Sequence, residues 1–288
     1  MKVAFLGLGV MGYPMAGHLV KNSHEVCVYN RTTEKAKKWV GEFGGSFGQT
    51  PAQAVKDAQI VFVCVGNDDD LRSVCLDQQG AFTAMSEGAL MVDHTTTSAA
   101  VARELYDKAK QMGLSFMDAP VSGGQAGAEN GVLTIMCGGD QADFDRSKPV
   151  QDSYAQAVSR MGGVGAGQLT KMVNQITFVG AVQAIAEGLV FAEKAGLDAK
   201  QVVDVISKGA AGSWQLSNRG HTMVDDEFDF GFAVDWVRKD LGFALDEARK
   251  NGSALPITGL IDQYYKEVQR MGGGRWDTSS LIKLLRDK

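Results

Sequence analysis

The sequence predicts an α/β fold: an N-terminal doubly wound parallel sheet followed by an all-α C-terminal domain. Three observations carry this. Apolar runs of strand length alternate with helix-like stretches through the first half of the chain. Three glycines spaced Gly-x-Gly-x-x-Gly (Gly7, Gly9 and Gly12) lie between the first such run and the first helix-like stretch. Beyond about Gly163 the strand-like runs stop and helical periodicity takes over.

The strands are read from "KVAFLG", "EVCVYN", "IVFVCVG", "LMVDHT", "SFMDAPV" and "LTIMCGG". Each is apolar on both alternating sets, as a strand covered on both faces requires. Between them the pattern gives helices at Tyr13 to Lys21, Thr33 to Phe43, Pro51 to Asp57, Leu71 to Cys75 and Ser98 to Met112. Right-handed crossovers then wind the sheet in both directions. The boundary falls near "GGVGAG", Gly162 to Gly167, which divides the chain into residues 1–163 and 164–288.

The second part opens with one long helical pattern, residues 169–195, which spans roughly 40 Å at the usual rise. Its Met172, Val173, Ile176, Phe178, Val179, Val182, Ile185, Leu189, Val190 and Phe191 make it apolar nearly all round. Such a helix needs cover on nearly all sides. A small domain supplies only part of that cover, so the pattern predicts a partner subunit. Shorter helices are expected at Ala199 to Lys208, Ser213 to His221, Val234 to Asn251, Ile257 to Met271 and Ser279 to Arg286.

Composition bounds the function. The 288 residues are 44% hydrophobic with a net charge of -5, ordinary for a soluble chain and unlike a surface built for nucleic acid or anionic lipid. No uninterrupted apolar run reaches membrane-spanning length, and the start, Met1 to Phe5, reads as a strand rather than a signal peptide. The four cysteines (Cys27, Cys64, Cys75 and Cys137) are scattered without a Cys-x-x-Cys pair, so no metal site is expected. They read as reduced core residues, and a cytoplasmic setting follows.

Chemistry concentrates in four places. Gly7, Gly9 and Gly12 suit a tight turn, close approach of backbone to pyrophosphate, and close helix–strand packing. Alone, the spacing fits a plain turn equally well; its place between strand and helix favours a dinucleotide. The following helix N-terminus would face phosphate. About 20 positions on, where NAD enzymes carry an acid for the ribose 2′-OH, stand Asn30, Arg31 and Thr32. An uncharged amide beside a guanidinium and a hydroxyl predicts NADP (NADPH), against the alternative of an exposed loop arginine. Ser122, Gly123 and Gly124, just after a strand, offer a hydroxyl and backbone N–H groups to a carboxylate, or form a turn in the sheet. Lys171, Asn174 and Gln175 share one face early in the long apolar helix. The plain alternative there is a snorkelling lysine beside an interfacial amide pair.

In "GLGVMGYPM", "DAPVSGG", "GAGQLTKMVNQ" and "RKDLGFALDEA", taken in that order over nearly its whole length, the chain resembles the β-hydroxyacid dehydrogenase family. That group contains 3-hydroxyisobutyrate dehydrogenase and tartronate semialdehyde reductase. The resemblance implies a Rossmann N-domain, a helical C-domain shared between the subunits of a homodimer or homotetramer, and hydride exchange between a nicotinamide cofactor and a small β-hydroxy acid or its semialdehyde. Lys171 matches the catalytic lysine, Ser122, Gly123 and Gly124 the substrate-carboxylate loop, and Asn174 the supporting amide. Cofactor contacts fall on Gly9, Val10, Met11, Asn30, Arg31, Thr32, Val65, Gly66, Thr95 and Lys239, with the Met11 side chain beside the cofactor.

Lys171 would donate a proton to the substrate oxygen in reduction and accept it in oxidation, with burial lowering its pKa toward working pH. Its charge would stabilise a developing alkoxide. His94 and His221 are weaker candidates, since no acidic residue sits beside either in a recognisable triad. "AAGSWQL" and "FDFGFAVDW" match the stretches that close the pocket, making Trp214, Phe230, Phe232 and Asp235 specificity candidates alongside Gln175, or else core aromatics and a surface acid. Related imine reductases often replace the lysine, and 6-phosphogluconate dehydrogenase is longer, with His-Asn where this chain has Asn174-Gln175. The alternatives are therefore imine reduction on the same scaffold and a non-catalytic dinucleotide-binding module.

Overall fold

The computed structural model of the chain describes residues 1–286. Two compact units emerge, Met1–Lys171 and a second beginning at Met172, so the division falls inside the long helix rather than in the glycine-rich loop before it.

The first unit runs β1 (Lys2–Leu6), α1 (Gly12–Lys21), β2 (Glu25–Tyr29), α2 (Thr33–Phe43), β3 (Ser46–Phe47), α3 (Pro51–Val55), β4 (Ile60–Val63), α4 (Asp68–Leu76), β5 (Leu90–Asp93), α5 (Ala99–Gln111), β6 (Ser115–Asp118), β7 (Val121–Ser122), α6 (Gly124–Asn130), β8 (Leu133–Gly138), α7 (Gln141–Gln151) and β9 (Ala155–Gly162). The sheet order is β3-β2-β1-β4-β5-β6-β8-β7, with β9 also on β8. The pairs from β3 through β6 are parallel, and the order reverses between β1 and β4, where a Rossmann sheet receives its ligand. The parallel sheet ends in a mixed edge, where β8 runs antiparallel to β6 and β7 and parallel to β9.

The strand alternation does what the pattern implied. Val3, Phe5, Ile60 and Phe62 enter the core on one face, while Ala4, Leu6, Val61 and Val63 enter the core on the other. Each fully buried Val, Leu, Ile or Phe contributes about 1.5–3 kcal/mol, which is why these strands form the centre. Local signals set the helix starts. Asn67, Ser98 and Thr50 each accept an N–H of the first turn, from Asp70 (2.8 Å), Val101 (3.1 Å) and Gln53 (3.2 Å). The Asn67 cap is why α4 begins at Asp68 and not at Leu71.

Elements that sequence periodicity misses share a physical reason. β3 and β7 are two residues long, too short to alternate. β9 is an edge strand with mostly exposed side chains, so it has no apolar pattern to show. In α7 the apolar residues do not gather on one side, and Pro149 sits within it. In α6 the residues are Gly, Ala and the polar Gln125, Glu129 and Asn130, with no large apolar side chain to mark a face.

The second unit takes in most of α8 (Ala166–Lys194), followed by α9 (Ala199–Ile206), α10 (Trp214–Val224), α11 (Val234–Asn251), α12 (Pro256–Arg270) and α13 (Lys283–Arg286). The helix expected at Ser279 to Arg286 is instead a 3-10 segment, Thr278–Ile282, followed by the short α13. Asp277 accepts from both the N–H and the hydroxyl of Ser279 (3.0 and 2.6 Å), which pins that tight turn. Val179, Val182, Ala186, Leu189 and Val190 of α8 enter the core of this unit. By length and composition α8 is also apolar enough to cross a membrane, with a mean hydropathy of 1.5 over an 18-residue window that is 44% buried. The expectation of no such stretch therefore holds only for uninterrupted runs, because Thr177 and Gln183 break this one.

None of the four cysteines is in a disulfide; Cys75 and Cys137 are buried, and Cys27 and Cys64 half-buried.

Candidate active site

The Gly7–Gly12 loop leaves β1 at the point where the strand order reverses. Gly7 has φ +100°, and a Cβ there would overlap the Cys64 carbonyl oxygen. A Cβ on Gly12 would overlap the Gly7 carbonyl oxygen, so helix α1 can start this close to the loop only without one. Gly9 differs: a Cβ there meets no protein atom within 4 Å. Its bareness is not demanded by the protein's own packing and suits an external group approaching the backbone, as a pyrophosphate does. The loop thus fits a dinucleotide. Val10 is exposed, and Met11 is half-buried against the core of one sheet face.

Asn30 braces this loop. Its Oδ1 accepts from Leu8 N (3.0 Å) and its Nδ2 donates to Thr32 O (3.1 Å), so both ends of the amide serve the backbone. Thr32 stands at the cap position of α2. The Arg31 side chain is 86% exposed and reaches Asp70 at 3.2 Å. On the neighbouring strand ends, Val65 N donates to Thr95 Oγ1 (3.0 Å), and Gly66 follows directly. Thr95 N in turn donates to Asp93 Oδ1 (2.9 Å).

The start of α8 is tied to the same strand ends. The buried Asp118 carboxylate, at the end of β6, accepts from Gly165 N (2.7 Å) and Gln168 N (2.8 Å). It thus satisfies N–H groups that the first turn of a helix leaves open. The buried Gln168 side chain donates to Thr95 O (2.7 Å) and accepts from Thr97 N (3.1 Å). Lys171 lies one turn further along and is only 8% exposed. Burial pushes the Asp118 carboxyl up to about 6 and the neighbouring Asp93 up to about 8, the latter also raised by Asp118, against opposing hydrogen bonds from backbone N–H groups.

Sequence reading singled out neither Asp118 nor Gln168, although both lie inside stretches it quoted, "DAPVSGG" and "GAGQLTKMVNQ". Their role depends on contacts across 50 and 73 positions. Ser122 lies on the short strand β7 opposite Thr134, and Gly123 and Gly124, with φ of +133° and +62°, lead into α6. The two glycines take backbone conformations that other residues rarely adopt.

In the second unit, Asn174 Nδ2 donates to Gln175 Oε1 (2.9 Å) and Gln175 Nε2 donates to Asp240 Oδ2 (2.6 Å). Asp240, 3% exposed, also pairs with Lys239 at 3.2 Å. The structure therefore gathers Asn174, Gln175 and Lys239 around a buried acid that the sequence reading passed over inside "RKDLGFALDEA". Lys239 also lies over the rings of Trp236 and Phe243. The specificity candidates fall elsewhere in this unit. Phe232 packs on Phe178, Asp235 accepts from Gln269 (2.6 Å), and Trp214 and Phe230 both stack on the Arg219 guanidinium.

The histidines take other parts. His94 is buried and bonds Ala119 O (2.6 Å) and the Tyr154 hydroxyl (2.8 Å). A carbonyl only accepts, so Nδ1 carries the proton and Nε2 accepts from Tyr154. Burial pulls the ring down to about 4, which keeps it neutral and structural. His221 does have an acid beside it, Asp204 at 2.8 Å, brought there by the packing of α10 on α9. The pair is solvent-exposed.

Comparison with known proteins agrees with this geometry. Residues 2–163 match the family model described as the NAD binding domain of 6-phosphogluconate dehydrogenase. Residues 165–285 match the one described as NAD-binding of NADP-dependent 3-hydroxyisobutyrate dehydrogenase. The chain is 61% identical to an uncharacterized oxidoreductase of Shewanella frigidimarina (strain NCIMB 400), over 99% of this chain and 98% of that protein. It is 33% identical to 2-hydroxy-3-oxopropionate reductase of Escherichia coli (strain K12), over 99% and 97%. The solved structure of Mycobacterium tuberculosis 3-hydroxyisobutyrate dehydrogenase with L-serine superposes with a TM-score of 0.88 at 31% identity, covering 99% of each chain. With the glycine loop at the strand-order reversal and a lysine helix anchored beside it, the chain belongs to the β-hydroxyacid dehydrogenase family, as an oxidoreductase that works with a nicotinamide dinucleotide.

Proposed function

We propose that the protein transfers hydride between NADP(H) and a small β-hydroxy acid or its semialdehyde, with Lys171 as the general acid and base. The observation that carries this is the placement of Lys171. It is nearly buried, on a helix whose first turn is fastened by Asp118 and Gln168 to the strand ends that also present Thr95 and Val65. Burying an ammonium costs free energy, and buried charged groups of this kind gather at functional sites.

In reduction the Lys171 ammonium donates a proton to the substrate carbonyl oxygen, and its charge stabilises the alkoxide as it forms. In oxidation the neutral amine takes the proton back. The Ser122 hydroxyl and the N–H groups of Gly123 and Gly124 hold the substrate carboxylate, so that the reacting carbon is presented in one orientation. Gln175, itself gripped by Asp240, steadies Asn174 one turn from the lysine. The nicotinamide dinucleotide, when bound, supplies or takes up the hydride. Gly7, Gly9 and Gly12 would admit its pyrophosphate, and Arg31 with Thr32 would receive a 2′-phosphate, which favours NADPH. The E. coli relative's name, a 2-hydroxy-3-oxopropionate reductase, supports a carboxylate-bearing aldehyde as substrate. The same reading includes a cytoplasmic setting for the four thiols and a homo-oligomer covering α8.

The test is an absorbance screen. NADPH oxidation is followed with glyoxylate, succinic semialdehyde, tartronate semialdehyde and a cyclic imine, and NADP reduction with 3-hydroxyisobutyrate and serine. Turnover of at least one carboxylate-bearing aldehyde or hydroxy acid is expected. Turnover of the imine alone moves the protein to imine reduction. Cofactor binding without turnover of any compound overturns the enzymatic reading in favour of a dinucleotide-binding module.

A further inference from the structure

The ion pair between Arg31 and Asp70 bears on cofactor choice, and it rests on the reading of Arg31 as the 2′-phosphate site. Asn30 is committed at both ends to the loop backbone, so the cofactor-reading groups left on this corner are Arg31 and Thr32. Arg31 uses one guanidinium nitrogen, Nη1, to reach Asp70 Oδ1 at 3.2 Å. The first turn of α4 carries three acids, and each has its own partner. Asp68 accepts from Ser98 N and Oγ (2.9 and 2.6 Å), Asp69 pairs with Arg72 (3.1 Å), and Asp70 alone among them faces Arg31.

We propose that Asp70 is a specificity-determining residue: its carboxylate competes with the cofactor 2′-phosphate for Arg31 and holds the preference for NADPH over NADH below what Arg31 alone would give. The physical basis is charge. A phosphate monoester carries about -1.5 to -2 at neutral pH, and within a Debye length of ~8 Å a carboxylate repels it. Asp70 engages Nη1, so it competes with the phosphate for the guanidinium forks that include Nη1. The ribose 2′-OH of NADH meets neither obstacle, and a nearby carboxylate can accept its proton in a hydrogen bond. Asp70 thus penalises one cofactor and spares the other. Because the pair is solvent-exposed, with Asp70 33% and Arg31 86% accessible, it yields to a ligand and sets a preference without blocking binding.

The experiment measures dissociation constants for NADPH and NADH, by fluorescence titration at low and at physiological salt. It compares the wild type with Asp70→Asn, Asp69→Asn, Arg31→Ala and the Arg31→Ala/Asp70→Asn double variant. Asp69→Asn removes the same charge from the same helical turn but from a side chain that faces Arg72. Asp70→Asn is expected to tighten NADPH roughly fivefold at low salt, a typical size for removing one well-placed like charge, and to leave NADH unchanged or slightly weaker. The effect should shrink at physiological salt and largely vanish in the double variant. Equal gains from Asp70→Asn and Asp69→Asn, or an unchanged NADPH/NADH ratio in Asp70→Asn, overturn the proposal. If Arg31→Ala weakens both cofactors equally, the 2′-phosphate reading itself falls. If Arg31→Ala weakens NADPH selectively while Asp70→Asn changes nothing, only the role of Asp70 falls.

Discussion

At the start of α8, Asp118 and Gln168 hold the chain by hydrogen bonds to buried backbone groups, and Lys171 is 8% exposed. Near the other end, Glu193 pairs with Arg286, and the Phe191 side chain is 73% exposed. One helix therefore has a start fixed by polar contacts of exact geometry and a body that presents uncovered apolar surface, Val173 included at 63%. The difference bears on the roles proposed for the two parts. Hydrogen bonds fix direction and distance, which the proton transfer proposed for Lys171 needs. Apolar contact is undirected, scales with area, and serves to gather surfaces.

The largest expected effect tests the anchored start. Lys171→Ala should leave NADPH binding near normal and lower turnover by about a hundredfold or more, the usual loss for an acid–base group. Retained turnover on the substrate found by the screen would remove Lys171 from the mechanism. Next comes the exposed end. We expect the wild type to sediment without a stable monomer at micromolar concentration, and Phe191→Asp to release monomer by placing a charge in the apolar contact. A wild-type monomer at that concentration would show that this surface is not a subunit interface.

The smallest effect concerns the acids under the helix start. Asp93 and Asp118 are raised in the folded protein, to about 8 and about 6, chiefly by burial. The folded state then keeps protons that the unfolded chain has released above about pH 4. The stability from this source is complete below about pH 4 and is lost as pH rises through 6 and then 8. Wild-type Tm should decline from pH 6 to 8.5, and Asp93→Asn should flatten the upper part of that decline. Parallel Tm curves for the two proteins would show that Asp93 is ionised in the fold.

Legibility followed the kind of interaction. The Gly7–Gly12 loop was readable because its function lies in missing side chains at fixed local spacing; packing requires Gly7 and Gly12 to be bare and leaves Gly9 open to an external group. The central strands were readable because burial on both faces leaves an apolar run. Asp118, Gln168 and Asp240 were not singled out, because an acid or an amide in a string of letters carries no mark of the backbone group it will meet after folding. Asp204 beside His221 escaped for the same reason.

By itself the sequence determined the α/β-then-α order, the nucleotide loop, the position of the long helix and the family. These depend on periodicity and local spacing, which linear order preserves. Only the tertiary structure decided that Asn30 is spent on the backbone, that Arg31 faces Asp70, that β8 turns antiparallel, and that the lysine helix hangs from Asp118 and Gln168. Those outcomes are set by which distant groups the fold brings within hydrogen-bonding reach, and a bond of that kind is specified by position in space rather than by neighbours in the chain.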